Sequence, residues 1–108
     1  MMPPPEELSP VERFHPRVEA NLTVKLAVNG RAYLVKARNL SMAGMHLKGY
    51  PASPGERITL AVPLPNDREV VTGCEVRRWT QDGIAVEFDQ LDWDDMIALA
   101  RFLHPRLP

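Results

Sequence analysis

The sequence has one cysteine, few aromatic residues and no long apolar run. Because Cys74 is the single cysteine among 108 residues, no disulfide can form within the chain, and we expect a reducing compartment. No stretch approaches the roughly 20 apolar residues of a membrane-spanning helix, so we expect no membrane insertion. The first ten residues, with four prolines, lack the basic and apolar regions of a secretory signal. These absences predict a cytoplasmic protein.

The chain also lacks an excess of charge of either sign. It has 13 Lys and Arg against 14 Asp and Glu, a formal net charge of −1. A DNA or RNA polymer needs many phosphates neutralised at once, so we expect neither as a partner. The cations are concentrated early, between residues 11 and 38, whereas residues 82–100 carry acids and no base. A small cationic patch of this kind suits a compact anionic ligand.

Apolar and polar residues alternate along much of the chain, the pattern of half-buried β-strands. The alternation starts at Leu22, and Asn29-Gly30 predicts a type I′ turn before a second strand over residues 31–38. Short strands follow near residues 45–47, 58–62, 70–76 and 84–88, and we expect Pro63 and Pro65 to end the fourth. Six short strands with tight turns predict a mainly β fold, a small antiparallel barrel.

The last element has a helical period. From Trp93, apolar residues recur at Met96, Ile97, Ala100 and Leu103, and Asp92 is a good N-cap. We therefore expect a C-terminal helix that caps the barrel. The predicted organisation is a disordered lead-in over residues 1–10, one domain over residues 11–104, and a tail over residues 105–108.

Two arginines, Arg13 and Arg17, flank a proline in the segment "RFHPRV". Pro16 removes a backbone donor and pushes His15 away from the α region, so this pair sits on a loop before the first strand. A guanidinium grips two oxygens or a guanine edge in a bidentate manner and stacks on a purine. The pair can therefore clamp both a base and a phosphate, and His15 can add a stacking face or a hydrogen bond.

A second motif, "NLSMAG", follows the second strand and contains Asn39, Ser41 and Gly44. Asn and Ser form turns by bonding to nearby backbone, and glycine allows close backbone approach. The Asn39 amide oxygen can accept from the donor edge of a guanine. If the strand continues through residue 41, Asn39 and Ser41 project to the same side.

An RxxxR segment before the first strand, followed one hairpin later by [D/N]xSxxG, resembles the PilZ domain family. The resemblance extends from Glu12 to Leu103 and includes "GIAVEF" and "LDWDDMIALARFL". It implies a PilZ-like split barrel that binds the bacterial second messenger cyclic di-GMP. It also implies that Arg13 and Arg17 hold guanines and phosphates, that Asn39 reads a guanine edge, and that Ser41 and Gly44 shape the floor.

The sequence also offers lower-ranked site residues and a second hypothesis for the function. Arg78 and Trp79 at a strand end are lower-ranked ligand candidates, since an indole also packs readily against a neighbouring turn. The three histidines lack metal-ligand spacing, and no nucleophile–base arrangement is apparent, so we expect no metal, no cofactor and no enzyme activity. The predicted function is a cyclic di-GMP receptor that signals to a protein partner. The alternative is a PilZ-fold adaptor that binds proteins without nucleotide.

Overall fold

A computed structural model describes residues 17–104 of the chain. The predictions for the lead-in at residues 1–10, for Arg13 and His15, and for the tail at residues 105–108 lie outside this range. The elements are β1 (Val18–Val28), β2 (Arg31–Leu40), β3 (Gly44–Lys48), β4 (Arg57–Leu64), β5 (Arg68–Thr80), β6 (Gly83–Phe88) and α1 (Trp93–Leu103). Within residues 17–104, no helix combines the length and apolar character needed to cross a membrane.

The strands close into an antiparallel barrel in the order β1-β2-β3-β6-β5-β4, which confirms the predicted fold class. Because neighbouring strands run in opposite directions, the start of β1 lies at the same end of the barrel as the end of β2 and the start of β3. The end of β6 also lies there, and α1 follows it. The topology therefore brings Arg17, the turn from Leu40 to Gly44 and the helix to one end.

The barrel interior is filled by one side of each strand. In β5, Val70, Thr72, Cys74 and Val76 are all buried, as their alternation predicts. Leu26 and Leu60 oppose each other across β1 and β4 and are fully buried. Burial of such aliphatic side chains stabilises a fold by roughly 1.5–3 kcal/mol each.

The thiol of Cys74 belongs to this interior. It is fully buried, its Sγ lies 3.7 Å from the Thr72 carbonyl, and burial together with the Asp89 charge raises the pKa of Cys74 from 9.0 to about 12. We therefore expect a thiol-specific disulfide reagent at pH 8 to leave the native protein unmodified over hours and to react within minutes in denaturant, because the thiolate is the reactive form. Fast reaction of the native protein contradicts this placement.

The strands extend beyond their predicted bounds, and β5 reaches Thr80 where the prediction ended at residue 76. β1 begins at Val18, four residues before Leu22, because Val18 and Glu19 pair with the end of β2. β4 continues through Pro63 to Leu64. Pro63 is exposed on the outside, opposite Glu69, so the expectation that Pro63 ends β4 was wrong. The predicted Asn29-Gly30 turn is confirmed, with φ angles of 51° and 79°.

The C-terminal helix α1 begins as predicted but buries a different face. The Asp92 carboxylate accepts a hydrogen bond from the Asp95 amide at 2.8 Å, which confirms the N-cap. The buried residues are Leu99, Phe102 and Leu103, whereas Trp93 is 70% exposed and Ala100 is exposed. The predicted stripe was therefore wrong except at Leu103 and the partly buried Met96 and Ile97. Apolar residues occur around most of this helix, and the position of the barrel selects the face that is buried.

Candidate ligand-binding site

The "NLSMAG" segment forms a tight turn between β2 and β3 that is held by Ser41. Its Oγ accepts hydrogen bonds from the amides of Ala43 at 3.1 Å and Gly44 at 3.3 Å, and the Ser41 amide donates to the Gly44 carbonyl at 2.9 Å. Ser41 is 3% exposed. β2 ends at Leu40, so Ser41 does not continue the strand and does not project beside Asn39. Its hydroxyl supports the floor of the turn.

We expect Ser41→Ala to lower the free energy of unfolding by about 1–3 kcal/mol, because the buried amide of Gly44 and the partly buried amide of Ala43 lose their acceptor. Urea unfolding followed by circular dichroism measures the change. Ser53→Ala is a matched control, since Ser53 is exposed on the loop between β3 and β4, and we expect it to change stability by less than about 0.5 kcal/mol. Equal effects of both substitutions are incompatible with the turn described above.

Gly44 lies where β3 first meets β6. A Cβ atom built on Gly44 would stand 2.0 Å from the carbonyl oxygen of Val86, which belongs to the backbone of β6. Ala43 accepts a hydrogen bond from the Phe88 amide at 2.7 Å, and this bond draws the two segments together. Glycine is therefore required here by the close approach of two backbones.

A row of residues crosses the outer wall of the barrel next to this turn. Asn39 is opposite Glu19 on β1 and opposite His46 on β3, His46 is opposite Ala85 on β6, and Ala85 is opposite Arg78 on β5. Directly opposed residues in antiparallel strands project from the same face. Register shifts lie on either side of the row, between Ala37 and Asn39 and between Val76 and Arg78. Such bulges turn neighbouring side chains out of the regular alternation.

Two atoms in this row are buried without a hydrogen-bond partner. They are Oδ1 of Asn39 and Nδ1 of His46, and no other buried side-chain nitrogen or oxygen among residues 17–104 is in this state. Burying an unpaired polar group costs about 1–3 kcal/mol. The two atoms lie on directly opposed residues of β2 and β3, which makes this pair a candidate for contact with a polar ligand group.

The surroundings of the row are cationic. The pKa of His46 is lowered from 6.5, first by burial and then by the positive charges of Arg38, Arg17 and Arg78, and the negative charge of Asp82 offsets this in part. Arg38 forms an exposed ion pair with Asp82 at 3.6 Å. Burial and the three arginines therefore favour a neutral imidazole at His46.

A groove of about 510 Å³ lies along β1 and β2 beside this row, and Lys48 of β3 reaches it. It is lined by Glu19, Ala20, Asn21, Lys36, Ala37, Arg38 and Lys48. The groove contains three cationic side chains and one acid, so it suits a negatively charged group of moderate size.

The structure brings some of the predicted residues together and separates others. Arg17 is exposed and directly precedes Val18, which pairs with Leu40, so Arg17 lies at the same end as Asn39 and the turn. Arg78 lies in the row. Trp79 instead pairs with Ile84 and lines another groove with the loop at residues 51–56. His46 and Arg38 were not predicted; the only signal was that His46 stands two residues after Gly44, at the start of a strand.

Comparisons with known proteins agree with this fold. The family model of the PilZ domain matches residues 12–104. No curated protein sequence matches the chain. Among solved structures, the chain is similar to the inhibitor of motility MotI/DgrA of Bacillus subtilis, with 20% identity and a TM-score of 0.71. That match covers 84% of this chain and 49% of MotI, so the chain spans about half of the length of that protein.

Two further structures match over most of both chains. The PilZ domain of CeSA from a cellulose-synthesizing bacterium has 16% identity and a TM-score of 0.67, with 84% of this chain and 98% of that domain covered. The PilZ domain of YcgR from Escherichia coli with c-di-GMP has 15% identity and a TM-score of 0.67, with 85% and 88% covered. Because the family model covers most of the sequence and the barrel agrees, this chain belongs to the PilZ domain family, a family of binding modules generally directed at cyclic di-GMP.

Proposed function

We propose that this protein is a non-catalytic receptor for cyclic di-GMP that transmits its ligand state to a protein partner. The observation that carries the proposal is the unpaired Oδ1 of Asn39, buried in a wall on which Arg17, Arg38 and Arg78 act. A guanine presents donors on its base-pairing edge, and a cyclic dinucleotide carries two phosphate charges. The site therefore offers an acceptor for the base and cations for the phosphates.

Each proposed role follows from the chemistry of a side chain. Arg17, with Arg13 four residues earlier, supplies planar donors for phosphate oxygens and a flat face for a purine. Asn39 accepts from the guanine edge. Ser41 and Gly44 hold the turn that places Asn39 next to His46, so their contribution to binding is through backbone position. His15, Arg78 and Trp79 remain secondary candidates for stacking or phosphate contact.

Signalling requires that the ligand bind one arrangement of the protein better than another. We propose that the segment carrying Arg13 and Arg17 closes onto the barrel when cyclic di-GMP binds. The ordered segment then presents a surface to the partner. Arg17 directly precedes Val18, the first residue of β1, so the segment that carries Arg13 and Arg17 joins the barrel directly at this strand.

Isothermal titration calorimetry of the full chain with cyclic di-GMP tests the receptor. We expect saturable heat with an affinity in the micromolar range or tighter, and no heat with linear GMP at the same concentration. The absence of both heat and competition at high micromolar ligand contradicts the proposal.

A second candidate, an adaptor that binds proteins without nucleotide, is favoured by a separate surface. Leu34, Lys25, Ala61 and Val71 are opposed in register across β2, β1, β4 and β5, on the outside of the barrel. Leu34 is 73% exposed and Val71 is 56% exposed. Contiguous exposed apolar side chains are typical of a protein-binding surface.

The two candidates differ in how partner binding responds to the messenger. For the receptor, we expect association with a cellular partner to change on addition of cyclic di-GMP and to lose that response in Arg13→Ala. For the adaptor, association is unaffected by the messenger and by Arg13→Ala, and it is lost in Val71→Glu. Quantitative pull-downs with and without the messenger separate these outcomes.

A further inference from the structure

His46 lies in the candidate site, although neither sequence motif includes it. It is 9% exposed, it is opposite Asn39 in the β2–β3 register, and its Nδ1 is buried without a partner. Directly opposed residues in an antiparallel pair have Cβ atoms about 4.5–5.5 Å apart. Asn39 and His46 are therefore neighbours on one face of the sheet, and each has an unpaired polar atom to offer to one ligand group.

The protonation state of His46 allows its Nδ1 to accept a hydrogen bond from a ligand. A neutral imidazole has one N–H and one unprotonated nitrogen, which accepts. Burial and the neighbouring Arg38, Arg17 and Arg78 lower the pKa of His46 and so favour the neutral ring. When Nε2 carries the proton, Nδ1 offers a lone pair beside the Asn39 oxygen, and the pair presents two acceptors.

We propose that Asn39 and His46 together form a two-acceptor notch that binds the N1–H and N2–H₂ donors of one guanine and rejects adenine. This inference rests on the proposed function and assigns base selectivity to a residue outside both sequence motifs. The base-pairing edge of adenine offers one donor and one acceptor. Its N1 lone pair would face a second acceptor and leave a buried polar atom unpaired. Sites of this kind discriminate strongly between otherwise similar ligands.

The notch also explains why both atoms are unpaired in the described residues. Neither Oδ1 of Asn39 nor Nδ1 of His46 can donate to the other when the ring is protonated at Nε2, so the two acceptors form no hydrogen bond with each other. A guanine edge satisfies both at once, and the cost of the two unpaired groups is relieved only on binding. Ligand affinity and base selectivity then share one physical origin.

The test compares cyclic di-GMP with cyclic di-AMP by calorimetry on the full chain, using the wild type, His46→Phe, His46→Gln and the control His104→Phe. We expect the wild type to bind only the guanine ligand. His46→Phe keeps a planar ring without an acceptor, and we expect it to weaken cyclic di-GMP binding about tenfold and to narrow the discrimination against cyclic di-AMP. His46→Gln restores an acceptor and stays within about threefold of the wild type. His104 is exposed at the end of α1, so its substitution leaves both affinities unchanged.

A second readout uses the wild-type protein and does not depend on the stability of any variant. The side-chain ¹⁵N resonances of His46 report which nitrogen is protonated and whether the other accepts a hydrogen bond. We expect Nδ1 to be unprotonated and its resonance to shift on addition of cyclic di-GMP. A protonated Nδ1 in the complex overturns the inference.

The outcomes separate the two proposals. If the wild type binds cyclic di-GMP and His46→Phe binds it equally well with equal base selectivity, the notch is wrong and the receptor stands. If the wild type binds neither dinucleotide, the receptor is wrong and the notch falls with it. Loss of binding in His46→Phe without rescue by His46→Gln, in folded protein, also overturns the acceptor role.

Discussion

Gly44→Ala is expected to lower the free energy of unfolding by about 3 kcal/mol or more, the largest effect of any single methyl addition near the site. The added Cβ would lie 2.0 Å from the Val86 carbonyl oxygen and 3.1 Å from Cα of Glu87. Both are backbone atoms of β6, so no rotation of a side chain relieves the collision. β3 must move away from β6, and the pairing from Gly44–Glu87 onward is weakened.

The result matters because small domains are only about 5–15 kcal/mol more stable than their unfolded state. For a chain near 100 residues, a loss of 3 kcal/mol lowers the Tm by on the order of 10–20 °C. Thermal unfolding followed by circular dichroism measures this. Separation of β3 from β6 also moves His46, which pairs with Ala85 two positions further along, so cyclic di-GMP binding is expected to fall in the same variant.

Gly30→Ala is the matched control for this substitution. Gly30 has a φ of 79° in the β1–β2 turn, and a Cβ atom there would meet nothing within 4 Å. We expect Gly30→Ala to lower the free energy of unfolding by about 1–2 kcal/mol, because alanine is strained at a positive φ. A Gly44→Ala protein as stable as Gly30→Ala, or more so, shows that β3 and β6 do not approach as closely as described.

Arg17→Ala is expected to reduce the affinity for cyclic di-GMP by about a hundredfold or more. A guanidinium that bonds to a phosphate contributes charge-assisted hydrogen bonds, each stronger than a neutral one. Arg17 stands at the end of the barrel that carries the turn, and its charge acts on His46 from there. Calorimetry and competition with labelled ligand measure the loss.

Arg31→Ala is the matched control for charge. Arg31 is an exposed arginine at the start of β2, opposite Val28 and at the other end of β1. We expect its removal to change the affinity by less than about twofold, because exposed charges more than about 10 Å apart are largely screened at physiological salt. Similar losses in both variants point to a diffuse charge effect. An unchanged affinity in Arg17→Ala contradicts the proposed clamp.

The sequence predicted the barrel from features that are local in the chain. Alternation at Val70, Thr72, Cys74 and Val76 identified the buried side of β5, since a strand has only two sides and one must face the core. Asn29-Gly30 identified the turn because few dipeptides adopt positive φ at both positions. Asp92 identified the start of α1 because an aspartate at the N-cap accepts a hydrogen bond from the backbone amide three residues later, here that of Asp95.

The sequence did not predict the environment of residues that are tolerated both in the interior and at the surface, or both within a strand and at its end. The apolar residues of α1 extend around the helix, so period alone does not distinguish the Ala100 side from the Leu99 and Phe102 side. Pro63 was expected to end β4. A proline is tolerated where its missing donor faces outward, and only the position of the neighbouring strand decides this.

The sequence by itself determined the strand count, the tight turns, the helix cap and the two motifs that point to a cyclic dinucleotide, because each depends on residues close together in the chain. Only the tertiary structure decided which motif residues hold the backbone of the turn and which lie on the wall of the barrel. It places Ser41 inside the turn, and it brings Asn39 opposite His46 and in line with Arg78. The register between strands, which two bulges shift, sets these neighbours. No local pattern encodes the alignment of Asn39 with Arg78, which follows nearly 40 residues later in the chain.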